Sequence, residues 1–148
     1  MTTTLTRSAA PGLRRHACAV GGAVLATALL WAAARGLGVE LHVGPGGGRP
    51  AQAVGLPLVA GVTLVVSLLA SATRAGLDRL TGRAPALWTG SAVIVMLVSF
   101  VPVLYVDASD GAKATLASMH LVVAAVLVPL LGRRNGDRTA PYLDRPET

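Results

Sequence analysis

Of the three histidines in this chain, His120 alone lies deep inside a long apolar stretch, where an imidazole could carry a proton or meet a polar guest. Three hydroxyl residues, Thr27, Thr63 and Ser99, occupy comparable positions in the three other apolar stretches. Counted from the ends of those stretches at 1.5 Å per residue, all four sit roughly 10 to 15 Å inside. Together they could form a polar layer that binds a small solute or relays a proton. The competing reading is structural: Ser and Thr in apolar helices commonly bond the carbonyl one turn back or a neighbouring helix, and that reading is preferred. Ala117 and Ala124 flank His120 one turn away on either side, which points its face toward a closely packed neighbour. Pro102 removes the helix bond to the Val98 carbonyl and should kink the third stretch, with Ser99 placed to help satisfy the freed group. Such a kink is read as a bend required by packing and not as a hinge.

Other chemistry fares worse. Cys18 is the single cysteine, so there is neither an intrachain disulfide nor a CxxC redox pair, and it reads as a small packing residue. The run Gly44-Pro45-Gly46-Gly47-Gly48-Arg49-Pro50 opposes helix and reads as a flexible loop; without a following Lys-Ser/Thr it is no phosphate cradle. Val39 to Val43 alternates like a short strand, placing Glu40 and His42 on one side, too few ligands for a metal. Ser109 or Asp110 is suited to cap the helix that follows, which gives the local acids a structural task. No catalytic, metal-binding or cofactor-binding set emerges. A haem would want an axial histidine, and His120 alone is at the right depth.

The elements that must position these residues follow from composition. In 148 residues, 53% are hydrophobic and 14% charged, with a mean hydropathy of +0.61. That balance is a membrane protein's, of a size for one domain. The pattern predicts four membrane-spanning helices over about 17–34, 53–72, 87–106 and 112–131, each near the ~20 residues that cross a hydrocarbon core of roughly 30 Å. Residues 1–16 read as a cytoplasmic N-terminal tail and 132–148 as a disordered cytoplasmic C-terminal tail. An alternative for the first span is a cleaved secretory signal ending near Ala32-Ala33-Ala34. Pro57 stands near the start of the second span, where a helix tolerates it, and small residues such as Gly55, Gly61, Ser67 and Ala70 suggest close helix contact.

Charge orients the chain. Arg7, Arg14, Arg15, Arg74, Arg79, Arg83 and every arginine after Gly132 fall on one side of a four-span threading, against Arg35, Arg49 and Lys113 on the other. Retention of basic loops then predicts an up-down-up-down, all-α four-helix bundle with both termini cytoplasmic. Trp31 and Tyr105 near the outer boundary, and Trp88 near the inner one, suit interfacial rings. The net charge of +6 is thus explained by insertion and not by nucleic acid.

Pro102, then Met119-His120-Leu121, Pro129-Leu130 and the Arg133-Arg134 exit resemble an uncharacterised family of small four-span membrane proteins from actinobacteria, over most of Arg14 to Arg134. The resemblance implies four helices in a bacterial inner membrane and carries no activity. The expected function is a non-enzymatic membrane component that packs against itself, as a homo-oligomer, or against another membrane protein, in contact with the lipid bilayer. The alternative is a small solute or proton-coupled transporter using the layer around His120. Size and span count resemble small multidrug exporters, but the first span lacks their membrane-embedded glutamate. A membrane enzyme or haem carrier is the third class considered.

Overall fold

The computed structural model describes residues 11–44 and 50–132. Four helices dominate it: α1 (Pro11–Gly36), α2 (Leu56–Leu80), α3 (Ala84–Tyr105) and α4 (Asp110–Gly132). Two short strands, β1 (His42–Val43) and β2 (Gln52–Ala53), lie between α1 and α2. All four helices are long and apolar enough to cross a membrane, as the sequence predicts.

Three helix boundaries differ substantially from expectation, each for a local reason. α1 begins at Pro11, so Arg14, Arg15 and His16 are helical and not part of a tail. Proline is at home in a first turn, and long basic side chains extend from a helix end toward water. α2 gives up Ala53 to β2 but continues past Ala72 to Leu80, because Arg74 and Asp78 pair at i, i+4 and Thr73–Leu80 holds no proline to stop it. α3 opens at Ala84 with Pro85 as its second residue; the proline that looks like the end of a loop starts the helix instead. The expected tails at 1–10 and 133–148 and the glycine-rich segment at 45–49 lie outside the described residues.

α1 ends on a glycine that the geometry demands. Gly38 has φ 77°, a left-handed conformation costly for any residue with a Cβ. It lets the amides of Gly38 and Val39 donate to the carbonyls of Arg35 and Ala34 at 3.0 and 2.9 Å, closing the helix. The chain then turns into β1, which pairs antiparallel with β2, His42 opposite Ala53. Gly44 and Asp107 exchange backbone bonds of 2.9 and 3.3 Å, tying this hairpin to the α3–α4 connection. At the start of α4 the Ser109 hydroxyl accepts from the Ala112 amide at 3.2 Å, so Ser109 is the cap and Asp110 the acid of the first turn.

α1 packs along both α2 and α4, and α3 packs along α4, whereas α2 and α3 meet over much less of their length. Small residues make the close approaches: Ala19, Ala23 and Ala112 are fully buried, and Ser67 on α2 is too. Gly61, by contrast, faces outward with no neighbour within 4 Å, so it is not the helix contact its size suggests. One core cluster joins Ala19 and Ala23 to Trp88, Leu127 and Leu131; a second, at the hairpin end, joins Ala34, Leu41 and Ala112. Leu25, Leu29, Leu64, Leu68, Leu97 and Leu104 point outward, the arrangement that suits helices solvated by lipid.

Candidate functional site

Because α2 and α3 stay apart, a cleft of about 690 Å³ opens between them, with α4 and one residue of α1 as its floor. Thr27, Thr63, Ser99 and His120 all line it, one from each helix. The rest of the wall is largely aliphatic, with Val62 and Val66 from α2, Ala92 and Val95 from α3, and Val123 and Leu127 from α4.

Thr27 and Thr63 are buried and share a hydrogen bond of 3.3 Å between their hydroxyls. Thr27 Oγ1 also lies 3.0 Å from the carbonyls of Ala23 and Val24 on its own helix. Ser99 donates to the Val95 carbonyl at 2.7 Å. That bond corrects the expectation that Ser99 would serve the Val98 carbonyl freed by Pro102. Pro102 itself stands one turn from the end of α3, and the Val106 amide still donates to its carbonyl at 3.0 Å. Only Val103–Tyr105 of the helix lies beyond the proline, so a bend there re-aims little of the span.

His120 is half-buried, with Nδ1 2.7 Å from the Leu116 carbonyl and its ring centroid 6.2 Å from that of Phe100. A carbonyl can only accept, so Nδ1 carries the proton and Nε2 is left as the atom that could take one up or receive a hydrogen bond. The three hydroxyls thus bond within the protein, and Nε2 is the most chemically available atom of the layer.

A second polar constellation lies at the opposite end and was not legible as one in the sequence, where Arg74 reads as part of a loop. Arg74 is 1% exposed. Its Nε donates to the Leu131 carbonyl at 2.6 Å, and its guanidinium pairs with the Asp78 carboxylate. A cation there ties α2 to the Leu131 carbonyl in the last described turn of α4, a charge-assisted bond across two helices. The i, i+4 spacing of Arg74 and Asp78 was the available signal, usable only once α2 is extended to Leu80.

The tryptophans divide. Trp31 donates its indole N–H to the Val54 carbonyl at 2.9 Å, fastening the end of α1 to the chain entering α2. Trp88, expected as an interfacial ring, is 5% exposed and packed among Leu127, Leu131, Ala19 and Ala23. Its Nε1 has no acceptor among the described residues. Glu40 and His42 do share one side of the hairpin, 3.8 Å apart and exposed.

The sequence model of a family of unknown function, DUF6069, matches residues 7–137, a range that takes in all four helices. No curated protein and no solved structure matches.

Proposed function

The chain belongs to this family of unknown function, and from the geometry of its cleft we propose that it is a non-enzymatic component of a membrane that engages another membrane molecule between α2 and α3. The observation that supports this reading is the separation of two helices that are consecutive in the chain and joined by only Thr81-Gly82-Arg83. Van der Waals packing is the main force holding helices together in lipid, so walls left apart along such a length are available to something else. In this proposal the bundle threads up-down-up-down with both termini cytoplasmic, which the distribution of arginines supports, and the membrane is a bacterial inner membrane, as the resemblance to small actinobacterial four-span proteins implies.

A labelling experiment tests the cleft. Val95 lines it, whereas Leu97, about 3 Å deeper or shallower along α3, does not. On a Cys18→Ala background, Val95→Cys should react with a lipid-soluble maleimide several-fold more slowly than Leu97→Cys in native membranes. The difference should vanish in detergent. Equal rates in membranes would overturn the reading.

A second reading, a proton-coupled carrier of a small solute, draws on the convergence of four polar side chains on one cleft. The proposal expects His120→Leu to leave vesicle proton flux, followed with an entrapped pH dye, unchanged from the parent. A well-folded His120→Leu protein that loses a flux the parent shows would favour the carrier instead.

A further inference from the structure

We propose that the cleft holds an acyl chain of an anionic phospholipid, its head group resting against Arg79 and Arg83 where α2 turns into α3. This rests on the reading of the cleft as an interaction site and names its occupant. Shape is the first argument. The cleft is a narrow, largely aliphatic channel that follows α2 from Leu58 to Thr73, roughly 22 Å, and α3 from Trp88 to Ser99, roughly 17 Å, a form that an extended acyl chain can follow. The volume of about 690 Å³ falls within the ~300–1,000 Å³ usual for a small-molecule site.

Charge supplies the polarity of the guest. At the α2–α3 turn, Arg79 and Arg83 are exposed, and the nearby carboxylate in the chain, Asp78, is already paired with Arg74. The Arg83 amide donates to Thr81 Oγ1 at 3.1 Å, which holds the turn in shape. At the other end of the cleft the acids Glu40, Asp107 and Asp110 outnumber the cations Arg35 and Lys113 among the described residues. An anionic head group is therefore favoured at the turn and disfavoured at the hairpin. Each arginine at an anionic surface contributes roughly a five-fold preference.

Trp88 lines the cleft next to this turn and can report the occupant, since Trp31 is the only other tryptophan. The experiment places Trp31→Phe protein in phosphatidylcholine vesicles carrying a minor fraction of phosphatidylglycerol brominated on one acyl chain, or the same fraction of brominated phosphatidylcholine. Bromine quenches indole only at short range, so Trp88 emission reads lipid in the cleft. Brominated phosphatidylglycerol should quench at least about five-fold more effectively per mole, and Arg79→Gln with Arg83→Gln should bring it down to the phosphatidylcholine level. Ala92→Leu, which fills the cleft, should weaken quenching by both lipids. Equal quenching by the two lipids in the parent overturns the proposal. If Trp31→Phe does not fold, native mass spectrometry of the unsubstituted protein decides: retained phosphatidylglycerol supports the proposal, and retention of neither lipid or of both alike overturns it. Should Val95→Cys stay protected in membranes while Trp88 is shielded from both lipids, the occupant is a protein chain; that overturns the lipid and keeps the interaction site. An unprotected Val95→Cys removes both.

Discussion

Arg74 illustrates how much a single residue can be worth in a bundle otherwise made of aliphatic contacts. Among the described residues it is the largest fully buried side chain, and it satisfies a carbonyl of α4 and a carboxylate of α2 at once. Replacing it with leucine leaves the Leu131 carbonyl without its donor and Asp78 without its partner. Breaking a buried ion pair costs about 3–5 kcal/mol, and because the Asp78 side chain is 39% exposed the lower end applies. Arg74→Leu should therefore lower stability by about 3 kcal/mol, and Asp78→Asn by about 1 kcal/mol, since the guanidinium keeps the Leu131 carbonyl. Unfolding in mixed micelles followed by circular dichroism measures both; equal losses would assign the energy to the ion pair and not to the bond with the Leu131 carbonyl. The sequence showed Thr27, Thr63, Ser99 and His120 as a set because depth along a helix is a matter of counting. It did not show Arg74, because an arginine within a few residues of a span's end looks like any interfacial charge until the helix is known to continue.

Among the elements, the apolar runs were legible and their ends were not. Hydropathy marks where lipid begins, but a helix stops where its last carbonyls find donors, and those donors depend on one or two residues. Gly38 is such a residue and Gly61 is not, although both are glycines at or within apolar helices. An alanine at Gly38 must adopt φ 77°, which costs about 1–2 kcal/mol. An alanine at Gly61 meets nothing within 4 Å and gains helix propensity of up to about 1 kcal/mol. Gly38→Ala should destabilise the protein and Gly61→Ala should leave it equal or firmer, with thermal melts of the two variants run side by side in one detergent. A destabilising Gly61→Ala would mean that this face of α2 is covered by something beyond the chain. Proline misled in the same local way: Pro85 opens α3, and Pro102 comes too near the end of that helix to steer it.

At the scale of the whole molecule, contacts between connections determine which ends lie together. The Gly44–Asp107 pairing joins the α1–α2 hairpin to the α3–α4 connection. Arg74 on the Leu131 carbonyl joins the end of α2 to the end of α4, and Gly132 approaches the Thr89 side chain near the start of α3. The proposed orientation gives each end a side from its charges: Arg14, Arg15, Arg74, Arg79 and Arg83 gather at the second and Arg35 and Lys113 at the first. Single cysteines on a Cys18→Ala background convert this into a measurement. Leu37 and Tyr105 are each 83% exposed at the hairpin end, and Leu80 is 85% exposed at the other. In intact spheroplasts an impermeant maleimide should label Leu37→Cys and Tyr105→Cys at once, and Leu80→Cys only after the membrane is opened. Labelling of all three from outside would break the four-span threading. The reverse pattern would keep the threading and invert it, placing Arg79 and Arg83, and with them any anionic head group at the α2–α3 turn, in the outer leaflet.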